Sequence, residues 1–248
     1  SVSATPDIIC SGSSTQLLVS PSGGSGSYTY SWESNPIGLN SNIQNPTVSP
    51  ASTTIYTVTV NDGFNSITAS VTVTVNALPL ANAGQDVAIC QGQTTTLTAT
   101  GGTTYNWSTT ETTASIDVNP TTTTTYTVTV TSSEGCSATD NVVVTVNPVP
   151  VITLTSDLAI CEGSSATLTA GGGDTYQWST NESTASIIVS PTTTTTYSVT
   201  TTNAYNCSDQ GSVVVTVNPL PTADAGQDVS VCLGSSITLT ATGGDSYE

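Results

Sequence analysis

The chain has 248 residues, no Lys, Arg or His, and a formal net charge of −17. Only 7% of it is charged, against roughly a quarter in ordinary domains, yet 35% is hydrophobic; a disordered chain would pair few apolar residues with high charge. With no base to neutralise phosphates it excludes nucleic acid as a partner, it is repelled by anionic membranes, and it holds no apolar run of roughly 18 residues that would insert into a bilayer.

Ser and Thr fill about a third of the positions. With Val, Ile and Tyr they favour pleated strands, so the fold class is all-β. One stretch recurs and sets the frame. Asn119-Pro120, five threonines and Tyr126-Thr127-Val128-Thr129-Val130 return as Ser190-Pro191, five threonines and Tyr197-Ser198-Val199. An earlier version runs from Ser49-Pro50 to Tyr56-Thr57-Val58-Thr59-Val60. The repeat divides the chain into 1–76, 77–147, 148–218 and a truncated 219–248. The chain ends in mid-repeat, so it reads as a window on a longer one. No signal-peptide pattern opens it.

Within the second repeat, residues 85–89 are the first expected strand, and Cys90-Gln91-Gly92-Gln93 turns it. Residues 94–100 follow, with Leu97 and Ala99 on the apolar face. Gly101-Gly102 turns into 104–108, where Tyr105 and Trp107 point inward. A short strand at 114–118 precedes 124–131, which directs Tyr126, Val128 and Val130 inward. The turn from Ser132 to Cys136 leads to a last strand at 141–146. The third repeat matches through Cys161, Leu168, Trp178, Tyr197 and Cys207. The first carries about ten extra residues around Trp32, and has Phe64 where the others have Cys136 and Cys207. The boundaries Asn76-Ala77-Leu78-Pro79, Asn147-Pro148-Val149-Pro150 and Asn218-Pro219-Leu220-Pro221 are short and proline-stiffened, which predicts a semi-rigid rod.

Seven or so short strands, with turn signals every ~8–12 residues, argue a β-sandwich. A Trp on the third strand (Trp32, Trp107, Trp178) and a Tyr opening the sixth (Tyr56, Tyr126, Tyr197) are marks of the immunoglobulin fold, and these six are the expected core anchors. The wider pattern reads Ala-Gly-Gln-Asp, Cys-x-Gly, Leu-Thr-Ala, Tyr-x-Trp-Ser, Thr-Thr-Thr-Tyr, Gly-Cys and Val-x-Val-Thr-Val-Asn-Pro. It resembles the immunoglobulin-like and polycystic-kidney-disease-type modules of giant secreted surface proteins of Bacteroidota. Gliding-motility adhesins exported by the type IX secretion system are among them. The resemblance covers the whole chain and implies tandem immunoglobulin-like sandwiches arranged head to tail. It departs from antibody domains in having Leu97 and Val128 where their core cysteines stand.

Six cysteines occupy fixed repeat positions: Cys10, Cys90, Cys161 and Cys232 after the first strand, Cys136 and Cys207 after the sixth. No Cys-x-x-Cys and no His occurs, which argues against zinc. Two disulfide patterns stay open. One is intradomain, Cys90–Cys136 and Cys161–Cys207. The other, favoured by the immunoglobulin-like topology, is interdomain. There the two turns lie at opposite ends of a sandwich, roughly 20 Å apart, beyond the reach of a disulfide. Cys10 then pairs with Cys136 and Cys90 with Cys207, and Cys161 and Cys232 have partners outside the fragment.

Without His, Lys or Arg no Ser–His or Cys–His nucleophile assembles, and the acids stand singly at turns, so no enzyme is expected. The expected cofactor is none. Were calcium bound, Asp86 and Asp228, in matching Ala-Gly-Gln-Asp stretches, are the candidate ligands, whereas Ser156-Asp157 reads as out of frame. Tyr30, Tyr105, Tyr176 and the Trp residues read as core rather than sugar platforms. The threonine runs read as solvent-face strand, or as O-glycan acceptors. The functional reading is a secreted, cell-surface, non-catalytic stalk. Its partners are neighbouring repeats and, through a tip outside this fragment, surface polysaccharide or other cells. The alternatives are a spacer array in a large secreted hydrolase and a polymerising filament subunit.

Overall fold

A computed structural model describes residues 1–244. Every named element in it is a strand. In repeat 1 these are β1 (Val2–Thr5), β2 (Ile8–Cys10), β3 (Thr15–Val19), β4 (Thr29–Asn35), β5 (Asn40–Ser41), β6 (Thr47–Val48), β7 (Thr54–Asn61) and β8 (Ser66–Asn76). They form two sheets, ordered β1-β3-β6 and β2-β8-β7-β4-β5. Repeat 2 holds β9 (Val87–Cys90), β10 (Thr95–Thr98), β11 (Thr104–Trp107), β12 (Ser115–Val118), β13 (Thr124–Thr131) and β14 (Ser137–Asn147). Its sheets are β10-β12 and β11-β13-β14-β9. Repeat 3 holds β15 (Thr153–Leu154), β16 (Leu158–Cys161), β17 (Ala166–Gly171), β18 (Thr175–Trp178), β19 (Ser186–Val189), β20 (Thr195–Thr202) and β21 (Ser208–Asn218), in sheets β15-β17-β19 and β16-β21-β20-β18. Each of these three repeats is an immunoglobulin-like β-sandwich. Residues 1–146 form one compact unit and the chain from Asn147 a second.

Alternation builds each core. Along β13, Tyr126, Val128 and Val130 are buried while the threonines between them are half-exposed. Trp107 packs with Leu97, Ile116, Val118, Val142 and Val144. Trp32 and Trp178 anchor the equivalent clusters. Each indole also donates to a backbone carbonyl: Trp32 to Gln44, Trp107 to Thr113 and Trp178 to Thr184. The buried ring therefore leaves no polar atom unpaired. Tyr56, Tyr126 and Tyr197 are buried beside them. Burial raises the phenol pKa of Tyr56 and Tyr126.

The first expected strand is in fact two pieces on different sheets. Asn82 bridges Thr100 antiparallel, and after Gly84 the chain crosses to run as β9 along β14. In repeats 1 and 3 the second piece is parallel to the last strand, with Cys10 opposite Asn76 and Cys161 opposite Asn218. Two carboxylates hold the crossing in repeat 2. Asp140 accepts from the Ala83 amide and Asp86 from the Val143 amide, each at 2.8 Å.

The last strand also begins earlier than the apolar run suggests, at Ser137, because the β13–β14 ladder extends to Thr131 opposite Ser137. Its inward positions there are Ala138 and Asp140, so the alternation continues without hydrophobicity. In repeat 1 the extra residues form a Gly-rich loop before β4 and the added strand β5, which pairs with β4. No named strand falls among described residues 219–244. The bridge of Asp224 with Thr242 nonetheless repeats the Asn82–Thr100 register two repeats on.

Candidate functional site: the ends of the repeats

The residues of functional interest lie at the two ends of each sandwich. At the exit end, Cys10 closes β2 next to the last residue of β8. The Ser11 amide donates to Asn76 O at 2.8 Å, and the Ser13 amide to Cys10 O at 3.0 Å. Gly12, at φ 86°, takes the third position of this turn, which needs a positive φ. The turn recurs where Gln93, Ser164 and Ser235 donate to Cys90, Cys161 and Cys232. The Cys-x-Gly spacing therefore delivers a cysteine to one defined place.

The threonine run shares this end. The Thr123 hydroxyl accepts from the Val146 amide at 3.1 Å, and Thr53 and Thr194 do the same for Val75 and Val217. The next hydroxyl, on Thr54, Thr124 or Thr195, donates to the carbonyl two residues back. Part of the run thus caps final amides of the last strand, a role invisible to strand propensity. The signal that could have shown it is the near-constant distance from the run to Asn76, Asn147 and Asn218, one residue shorter in repeat 1.

At the entry end, the β13–β14 hairpin carries Cys136, fully buried. The Ser132 amide donates to Cys136 O at 2.8 Å and the Gly135 amide to Ser132 O at 3.1 Å. The Ser133 hydroxyl donates to Glu134 and lowers its carboxyl pKa. In repeat 3 Asn206, at φ 60°, takes the place of Gly135. The Asn203 side chain accepts from the Tyr205 and Cys207 amides and donates to Pro148 O. Incoming chain lies against the same end. A side-chain carbon at Gly101 would overlap the Leu80 carbonyl, and one at Gly172 the Val151 carbonyl.

Within the first unit these two ends meet. Cys10 of repeat 1 is disulfide-bonded to Cys136 of repeat 2, with Cα atoms 5.6 Å apart and 126 positions between them in sequence. Cys90 and Cys207 each stand in a disulfide as well. Cys161 and Cys232 are free, exposed thiols.

The repeat 1 hairpin departs from the expected match of Phe64 with Cys136 and Cys207. It is one residue shorter, since Asn61 pairs with Ser66 where Thr131 pairs with Ser137. Asn65, not Phe64, therefore stands where Cys136 does, and donation from the Asp62 amide to Asn65 O repeats that from Ser132 to Cys136 O. Phe64 is 88% exposed at the tip. The Asp62 carboxylate accepts from the amides of Asn65 and Phe64, which hold its pKa below the usual value.

The calcium candidates fall differently from expectation. Asp86 spends an oxygen on Val143, and Asp157 makes the equivalent bond with Val214 at 2.8 Å, so Asp157 is in the same frame after all. Asp228 lies exposed between the last linker and Cys232. Among the described residues no three His, Cys, Asp or Glu groups gather as a metal would need. A cleft of about 230 Å³ beside the repeat 1 hairpin holds one carboxylate, Asp62. Another, of about 390 Å³, lies between the crossing segment and β10 and holds only Asp86. Neither brings together the carboxylate pair that glycoside hydrolysis uses.

No family model and no curated protein matches the sequence. Solved structures that this chain resembles in fold include an I-band fragment of titin, at 14% identity over 85% of this chain and 95% of that one, TM-score 0.42. A Ca2+-stabilized adhesin with which an Antarctic bacterium binds ice matches at 16% identity over 90% and 76%, TM-score 0.33. A 1.5-MDa bacterial ice-binding adhesin matches at 14% over 88% and 98%, TM-score 0.30.

Proposed function

We propose that this chain is a non-catalytic, load-bearing stretch of an extracellular bacterial stalk, which carries a binding tip away from the cell. The observation that carries the reading is the Cys10–Cys136 bridge between successive sandwiches. A disulfide persists in an oxidising compartment, as expected of an exported chain. A bond across a junction serves mechanics and adds no chemistry. The absence of Lys and Arg fits exposure to proteases, because trypsin-like enzymes have no site. The resemblance of the sequence pattern to giant surface adhesins of Bacteroidota supports export by their type IX secretion route as part of this reading.

In this reading Cys90 pairs with Cys207, and Cys161 and Cys232 pair with later repeats of the same kind. The partners are neighbouring repeats, with polysaccharide or another cell at the tip, and no cofactor takes part. Small-angle scattering of the oxidised chain tests it. Repeats 1–3 should give a rod on the order of 100 Å long, at ~30–40 Å per sandwich. A compact, globular distance distribution would overturn the stalk.

A further inference from the structure

We infer that the Cys10–Cys136 bridge reroutes tension past most of repeats 1 and 2, so that this unit is nearly inextensible when oxidised and long when reduced. The use of the device rests on the load-bearing reading; its measurement does not.

The argument is topological. Tension entering at Ser1 reaches Cys10 through β1 and β2, which are already extended strand. At Cys10 two routes are open. One is the backbone, which passes through β3 to β13 and covers 126 positions before Cys136. The other is the disulfide, which spans 5.6 Å between Cα atoms. The covalent short cut is taut first. Beyond Cys136 the load runs straight into β14, 11 residues of continuous strand that end at Asn147, where the linker to repeat 3 begins.

Both loaded segments are thus in β conformation before any force acts. If the ladder of β14 with β13 fails, β14 has almost no length to give, because strand is already close to full extension. The core tryptophans Trp32 and Trp107, and β7 and β13 with their buried valines, all lie inside the bypassed loop. With Cys10–Cys136 as the bridge in the load path, they set the spacing of the junction without carrying the pull.

The ends of each sandwich are built for this route. Cys10 sits at the last rung of β2, opposite Asn76, at the edge from which the chain leaves repeat 1. Cys136 sits one residue before β14, at the edge where the chain enters repeat 2. A cysteine inside β13 would add the rest of β13 and the hairpin to the loaded path as slack.

Release is a two-electron exchange. A thiolate of an external dithiol attacks one sulfur of the bridge and expels the other as a thiolate. The dithiol's second sulfur then displaces the first cysteine. The dithiol ends as a disulfide, and Cys10 and Cys136 end as thiols carrying its two protons.

Single-molecule pulling of the full chain from its termini tests the inference. With Cys90 and Cys207 changed to serine, Cys10–Cys136 is the bridge under test. Reduction should then add about 430 Å to the total unfolding length, the reach of 126 residues. Adding Cys10→Ser should give the long value with or without reductant. Equal lengths for the oxidised and reduced forms would overturn the rerouting. The unmodified chain covers the case in which the serine variant does not fold. Any further bridge only shortens the oxidised form, so a gain on reduction below about 430 Å also overturns the inference. A rod by scattering with no such gain would sink the rerouting alone and leave the stalk standing.

Discussion

Repeats 2 and 3 share one register, 71 residues apart, yet they secure the crossing first strand by opposite means. In repeat 2 the crossing carries Ala81 and Ala83, and Asp140 on β14 accepts the Ala83 amide. In repeat 3 the same places hold Ile152 and Leu154, and the residue on β21 is Gly211. A Cβ at Gly211 would come within 2.5 Å of Leu154 and 3.3 Å of Ile152. One repeat uses a charge-assisted hydrogen bond beside small residues, the other an aliphatic side chain in a glycine notch. Repeat 1 stands between them, with Val2 and Ala69 at these places, both half-buried against its core. The lesson is that the pair is the unit of design: neither Asp140 nor Gly211 makes sense without its partner across the sheet.

The sharpest way to break this comparison is to mix the two solutions. Gly211→Asp in repeat 3 drives a carboxylate against Leu154 and Ile152, and should cost repeat 3 about 2–4 kcal/mol through overpacking and a poorly solvated charge. Adding Leu154→Ala should recover part of that loss, because it restores the repeat 2 pairing. Amide exchange at β15, β17 and β21 measures both. A cost confined to the level of ordinary surface changes would mean that the notch is incidental.

A second contrast lies one pleat away. Val130 of repeat 2 is replaced by Thr201, fully buried, whose hydroxyl has no hydrogen-bond partner. An unpaired buried hydroxyl costs on the order of 1–3 kcal/mol. Thr201→Val should therefore stabilise repeat 3 by about 1–2 kcal/mol and bring it closer to repeat 2. Thermal melting of the variant against the parent reads this, and a lower melting temperature would refute it.

The smallest effect is one of pH. The Ala83 amide, followed by that of Asn141, holds the Asp140 carboxyl below its ordinary value of 3.8. A group depressed in the folded state contributes stability that is complete above its unfolded pKa and is lost as pH falls through the folded one. Protection of β14 should therefore decline below about pH 4. Asp140→Asn should flatten that decline, and β21, with Gly211 in the same place, should lack this component. Exchange profiles between pH 3 and 6, on the order of the carboxylate range, decide it. An unchanged profile in Asp140→Asn would remove the carboxylate from the account.

The two hairpin ends of the first unit differ in a related way. Repeat 2 presents Gly101, against which the Leu80 carbonyl rests, and a buried Cys136. Repeat 1 presents Pro21 and Asn65 at the same two positions, and its hairpin is one residue shorter. Pro21 cannot adopt the φ of 104° that Gly101 has. The end of repeat 1 is thus not built for the entry that repeats 2 and 3 make.

How much of this was legible beforehand depends on the range of the interaction. Strand identity and the buried face came from period-two alternation at Tyr126, Val128 and Val130, a property of neighbouring residues. The expected strand at 124–131 coincides with β13 for that reason. The repeat length, the compartment implied by the cysteines and the want of catalytic bases are also properties of the chain itself. The repeat placed a Cys-x-Gly turn in every copy, 71 residues apart from Cys90 onward.

Only the tertiary structure decided the rest. That the first strand changes sheets and runs parallel to the last follows from pairs such as Cys10 with Asn76, 66 positions apart, which no local pattern records. The early start of β14 was hidden because Asp140 holds an inward position through a hydrogen bond to Ala83 instead of through apolar burial. The capping role of Thr53, Thr123 and Thr194 needed the far end of the last strand beside the run. The joining of Cys10 to Cys136 needed two separate sandwiches to present opposite ends to each other. Alternation reports which face of a strand is buried; it carries no information about which distant backbone, or which neighbouring repeat, lies against the strand's end.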